Sequence, residues 1–187
     1  MTNINEIKNI QAKFPEYTTI DCFVETGTYK GCTVNVASTH FKELHTIELC
    51  ENLHRGAIER AAGLGIKNIN FIRGDSADEL PNLTKSIKKP VVFFLDGHFC
   101  GTGRGSVRSE KGNPIFKELQ AINERNYNDV VIVDDVWLFG KEVSHKELDW
   151  KEVTTGAILD TFDEGTVKHY FVRNDRFVIY LKERQQE

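Results

Sequence analysis

The sequence predicts a single α/β domain of the doubly wound, Rossmann-like type. Short apolar runs alternate with amphipathic helical stretches through most of the chain, the pattern of repeated βαβ units on a parallel sheet. The first apolar run ends in a glycine turn followed by a helical stretch, at the place where such folds receive a ligand. The chain closes on two β-rich runs around Asn174-Asp175, a hairpin signal that adds an antiparallel pair and brings the mostly parallel sheet to seven strands.

Each element follows in order. Ile4, Ile7 and Ile10 stand at helical spacing within 3–14 and then meet Pro15, so a short helix covering the sheet precedes the first strand. Strands are predicted at 20–25, 44–48, 68–72, 91–95 and 129–133. Between them lie helical stretches at 31–41, 51–63, 76–87 and 113–126, each long enough for a crossover. A fifth helix is predicted within 146–163, and the terminal strands at 166–172 and 176–182.

A chain of 187 residues fits one domain spanning 1–187. Apolar residues at 40% and charged residues at 28% exclude a disordered chain and a membrane-embedded one. A net charge of -4 gives no global electrostatic reason to expect nucleic acid as a partner. The first residues lack a basic segment followed by an apolar run, and no long apolar stretch occurs, so a cytoplasmic protein without a membrane partner is expected. Cys22, Cys32, Cys50 and Cys100 have no paired spacing, which predicts reduced thiols and argues against metal held through sulfur.

Three consecutive strand ends carry candidate binding residues. The first reads Val24-Glu25-Thr26-Gly27-Thr28-Tyr29-Lys30-Gly31. Its glycines permit close backbone approach, and Glu25 stands where pyrophosphate would be repelled and an amino group accepted. Glu48 ends the next run, where an acid can accept both hydroxyls of a ribose or simply be solvated ahead of a helix. Gly74-Asp75-Ser76 follows the third strand, and Asp75 can accept from an adenine amino group or cap the helix behind it. In this order, Glu25 to Gly31, Glu48 and Asp75 resemble the S-adenosylmethionine (SAM) motifs of class I methyltransferases. The resemblance implies SAM as cofactor, with Glu25 and Gly27 at the methionine part, Glu48 at the ribose and Asp75 with Ser76 at the adenine. It places Thr26 and Thr28 in tight contact with the cofactor and counts Gly31 among the residues that bind it.

The fourth and fifth strands end in Leu95-Asp96-Gly97-His98 and Val133-Asp134-Asp135. Neighbouring parallel strands lie about 4.8 Å apart, so these acids converge on one hard divalent cation or stand separately as caps and surface ion pairs. Facing carboxylates repel without a cation or protons, which favours the ion. The arrangement is similar to the metal-dependent macrocin O-methyltransferase-like group. That likeness implies magnesium on Asp96, Asp134 and Asp135, and methyl transfer to a hydroxyl of a small molecule or sugar. The group usually carries an aspartate as base where this chain has His98, which can act as base, metal ligand or orienting donor.

Phe99 to Asn113 is too glycine-rich for a regular helix, and Arg104, Arg108 and Lys111 can meet an anionic acceptor or stay solvated in a loop. Trp137 and Phe139 can wall an acceptor pocket or pack beneath 141–163. Two other functions fit the same residues: a SAM-fold enzyme with different metal chemistry, such as hydroxylation or SAM breakdown, and a non-catalytic SAM-binding module.

Overall fold

The computed structural model describes residues 4–99, 105–141 and 150–184. Its centre is a seven-stranded sheet of β1 (Cys22–Thr26), β2 (Glu43–Glu48), β3 (Ile69–Arg73), β4 (Val91–Leu95), β5 (Val130–Val133), β6 (Val167–Arg173) and β7 (Arg176–Leu181). The spatial order is β3-β2-β1-β4-β5-β7-β6. β1 to β5 run parallel, while β7 is antiparallel to both β5 and β6. The sequence expectation of a Rossmann-like sheet closed by a hairpin is met.

The central strands, VVFFL and VVIV, are apolar at every position and buried throughout, as strands covered on both faces must be. Alternate residues serve two cores. Val24, Phe93, Val131 and Ile179 pack against α4 (Ser76–Ser86), α5 (Ile115–Asn123) and α6 (Thr155–Leu159) through Leu80, Leu119 and Ile158. Phe23, Phe94, Ile132 and Val178 pack against α1 (Ile4–Gln11) and α2 (Cys32–Ala37) through Ile7, Ile10 and Val34. The remaining helix, α3 (Glu51–Gly63), buries Ala57 and Ala61.

The amino-terminal helix covers the sheet as its spacing predicts, and buried hydrogen bonds fasten it. Tyr180 Oη donates to Ile10 O at 2.6 Å, Gln11 Nε2 to Ile20 O at 2.7 Å, and Tyr17 Oη to Leu181 O at 2.9 Å. At the far end of the sheet, Arg125 donates from Nε to Asp129 Oδ2 at 2.8 Å and from its terminal nitrogens to the carbonyls of Thr84, Ile87 and Lys89. Asp129 Oδ1 accepts from Val91 N at 2.7 Å. One ion pair therefore locks the start of β4, the start of β5 and the end of α4.

α2 and α5 are shorter than their patterns. α2 stops at Ala37 rather than 41, where Ser38 Oγ donates back to Asn35 O. α5 starts at Ile115, whose amide donates to Asn113 Oδ1, and stops at Asn123. α6 occupies Thr155–Leu159, within the predicted 146–163, and Thr154 Oγ1 caps it by accepting from Ala157 N; residues 142–149 lie outside the described residues. Among the described residues no helix is long and apolar enough to cross a membrane, and Cys22, Cys32 and Cys50 are free thiols.

β1 is followed by β2 on one side and has β4 on the other. That reversal of direction opens a crevice at the carboxyl ends of the strands, where doubly wound folds place ligands.

Candidate active site

A cavity of about 390 Å³ occupies the crevice, within the roughly 300–1,000 Å³ range of small-molecule sites. One part of its wall comes from Gly27, Tyr29, Glu48, Asp75 and Ser76, another from Asp96, His98, Asp134, Asp135 and Arg176.

The turn after β1 is built for one shape. Gly27 has φ 80, and a Cβ there would lie 2.1 Å from the carbonyl oxygen of Asp96. Only glycine lets the β1 and β4 turns meet, so its close approach is to protein backbone as well as to the cavity. Two residues on, Tyr29 takes φ 49, a conformation rare for a bulky side chain and concentrated at functional sites. Its amide donates to Glu48 Oε2 at 2.8 Å, and Cys50 N donates to Glu48 Oε1 at 2.8 Å. Glu48 is thereby aimed at the cavity with lone pairs remaining on both oxygens. Burial pushes its carboxyl above the usual range, against the pull of the two amides.

Glu25, Thr26, Thr28 and Gly31 stand behind this wall. Glu25 is buried and does not line the cavity; it accepts from Thr46 Oγ1 at 2.7 Å, and Thr46 Oγ1 is 2.6 Å from Thr28 Oγ1. Burial holds Glu25 well above the normal carboxylate range, and through Thr46 and Thr28 it anchors the turn. Thr26 Oγ1 is buried without a hydrogen-bond partner, and Gly31, at φ 73, leads into α2 against Ala57. Asp75 combines two positions. Its Oδ1 caps α4 by accepting from Ala77 N at 3.0 Å, its Oδ2 accepts from Ser109 Oγ at 2.5 Å, and it lines the cavity beside Ser76.

On the opposite wall, His98 lies between two acids: Nδ1 is 3.4 Å from Asp96 Oδ1 and Nε2 is 2.8 Å from Asp135 Oδ2. Ligand atoms of Asp96, His98 and Asp135 all lie within 4.8 Å of one another. Asp134 lines the same cavity, but its Oδ1 faces Arg176 Nε at 3.3 Å. The Asp96 carboxyl is raised to about 7, first by burial and then by Asp134 and Asp135, with His98 opposing. The hydrogen bond from His98 holds Asp135 below its usual range. Two carboxylates and an imidazole converging from two strand ends form a donor set that fits a divalent cation.

Phe139 stacks on Trp150 at 5.8 Å, and Trp150 meets the His98 ring edge-on at 4.9 Å. These aromatics support His98 from behind. Trp137 is 56% exposed and donates from Nε1 to Asp135 Oδ1 at 3.1 Å. In the 99–113 segment, Arg104 lies outside the described residues, and Lys111 pairs with Asp78 at 2.5 Å. Ser106, Val107 and Ser109 are the described residues through which this segment lines the cavity.

Sequence reasoning did not single out two residues that shape the site. Arg176, at the start of β7, pairs with Asp134 and with Glu6 Oε2 at 2.5 Å. Glu118 lies beneath Gly97: a Cβ on Gly97 would be 3.0 Å from both Glu118 Oε1 and Thr26 Oγ1. Burial raises the Glu118 carboxyl to about 7. Its signal was an acid on the same helical stripe as Ile115, Leu119 and Ile122.

The architecture and the crevice define a Rossmann-like α/β protein with a ligand cavity at its switch point. The chain matches no protein-family model and none of the curated proteins compared with it. Solved structures match it over nearly its whole length. The O-methyltransferase TomG from Streptomyces achromogenes, involved in tomaymycin synthesis and solved with SAM, is 18% identical with a TM-score of 0.63 over 98% of this chain and 82% of TomG. SMU.1697c from Streptococcus mutans, solved with S-adenosylhomocysteine (SAH), is 14% identical with a TM-score of 0.60 over 98% and 99%. An rRNA methylase from Streptococcus thermophilus is 13% identical with a TM-score of 0.57 over 99% and 98%. At these identities the likeness establishes a shared fold.

Proposed function

We propose that this chain is a SAM-dependent methyltransferase that methylates a hydroxyl of a small molecule or sugar with the aid of a divalent cation, magnesium in the first instance. The observation that carries the reading is a single cavity joining a nucleoside-type wall, Glu48 with Asp75 and Ser76, to the Asp96, His98 and Asp135 cluster. Two of the structures with this fold hold SAM or SAH, which supports the same reading.

SAM supplies an electrophilic methyl group, and a bound cation supplies a Lewis acid that acidifies the acceptor hydroxyl. The protein's part is to bind and orient. Glu48 accepts from the ribose hydroxyls, and Asp75 and Ser76 meet the adenine. Glu25, acting through Thr46 and Thr28, keeps the Gly27 turn in place for the methionine part. Asp96, Asp134 and Asp135 would hold the cation, and His98 would take the hydroxyl proton. In a second reading, favoured by the grouping within 4.8 Å and by the engagement of Asp134 with Arg176, His98 replaces Asp134 as the third ligand.

The test is calorimetric titration with SAM and SAH, with and without magnesium, followed by incubation with candidate hydroxyl acceptors. Saturable binding with SAH and a methylated product formed together supports methyl transfer. Binding without product supports a binding module, SAM loss without a methylated product supports other chemistry, and no binding overturns the reading.

A further inference from the structure

At the opposite end of the sheet from the cavity, β1 begins with Cys22 and β2 with Glu43. The parallel register sets Cys22 directly beside Glu43, and the two-residue period of a strand puts His45 on the same face. Ligand atoms of the three residues lie within 4.8 Å of one another. Each polar ligand is already oriented by its second atom. Glu43 Oε2 is held by Lys89 Nζ at 2.8 Å, and His45 Nδ1 is held by Asn70 Nδ2 at 3.2 Å. Glu43 Oε1 and His45 Nε2 hydrogen-bond each other at 2.9 Å, the contact a bound ion would replace. Metal-binding carboxylates are characteristically hydrogen-bonded by outer partners, and metal-binding histidines donate their other ring N–H to one; Asn70 stands at the place of that partner, with its amide nitrogen toward Nδ1.

We propose that Cys22, Glu43 and His45 form a second metal site, distinct from the cavity and independent of the methyltransferase reading, that takes zinc or a similar borderline-soft divalent ion. The mixed sulfur, nitrogen and oxygen donors suit zinc far better than magnesium. Zinc bonds of about 2.0–2.3 Å draw the three ligand atoms, now within 4.8 Å of one another, around one ion. The Asn70 amide turns over to accept Nδ1–H, freeing the Nε2 lone pair of His45. Burial pushes the Cys22 thiol up to about 12, so the thiol is protonated at neutral pH and its proton leaves as the metal binds. The Glu43 side chain is 45% exposed, which gives the ion an entry path and leaves a coordination position for water. The site escapes spacing rules because its ligands come from two strands that pair side by side.

Cobalt(II) added to the chelator-treated full chain tests this. Thiolate-to-cobalt charge-transfer absorption in the near ultraviolet is expected, competed away by zinc, lost in Cys22→Ser and retained in Cys32→Ser. The Asp96, His98 and Asp135 cluster has no sulfur and cannot give this band. Asn70→Ala, at an exposed position, keeps the fold if Cys22→Ser does not, and should weaken cobalt binding by roughly 10- to 100-fold. Absence of the band, its survival in Cys22→Ser, or unchanged affinity in Asn70→Ala overturns the site.

Discussion

Asp135 Oδ2 lies 2.8 Å from His98 Nε2, and the contact depends on Asp135 taking φ 59 immediately after β5. Aspartate tolerates this left-handed conformation better than most side chains. The second carboxylate oxygen is held by Trp137 Nε1, so the imidazole faces a fixed partner.

If His98 is the base, His98→Ala lowers the methyl-transfer rate by roughly 100- to 10,000-fold with SAM affinity nearly unchanged. His98→Asp should recover part of that rate. Parallel loss of magnesium affinity in His98→Ala, read by calorimetry, would instead make His98 a ligand. Near-normal turnover removes both roles.

Chelation should abolish turnover, with magnesium or manganese restoring it. Asp96 is held up to about 7 in the metal-free protein, and an ion must displace that proton. Magnesium affinity should therefore rise with pH toward about 7 and then level off. Full activity in excess chelator would sink the cation.

Glu48→Ala should weaken SAM binding by about 1–3 kcal/mol, the cost of losing hydrogen bonds to a charged group. Part of the loss comes from releasing the Tyr29 and Cys50 amides. Unchanged affinity would remove Glu48 from the site.

Glu118 should make the fold pH-sensitive. Its carboxyl has an ordinary value of 4.5 and is raised to about 7 in the folded chain. Below 4.5 both states are protonated and nothing is lost. Between the two values the unfolded chain has released a proton that the folded chain keeps, so stability falls as pH rises and then stays lower. Glu118→Gln should flatten that part of the profile and gain on the order of 1–3 kcal/mol above neutrality. Asp96 leaves a residual slope of the same sign. Denaturant melts across pH that superimpose for the two proteins would refute the assignment.

Breaking the Arg125–Asp129 pair with Arg125→Ala strands a buried carboxylate and should cost about 3–5 kcal/mol. SAM affinity of the folded fraction should not change, because this lock lies at the other end of the sheet from the cavity. A parallel loss of affinity would show that the two ends are coupled.

The sheet, its hairpin and the helix order were legible because apolar periodicity is local. Val91 to Leu95 read as a buried strand in any context, and Glu48, Asp75, Asp96 and Asp135 had to share one edge once their strands were parallel. Which side chains meet at that edge depends on backbone angles and register that no local pattern contains. Asp134 and Asp135 are neighbours in sequence, yet one pairs with Arg176 and the other with His98, because the chain turns sharply at Asp135. Gly27 read as making room for a ligand, whereas folding also brings the Asp96 carbonyl against it. The juxtapositions of Glu118 with Gly97 and of Cys22 with His45 exist only after the helix has packed and the strands have paired. Local patterning placed the strand ends to within a residue and named the acids that stand there; their partners came from folding, since a side chain's direction is set by the φ and ψ of its own turn and its neighbours by strand register.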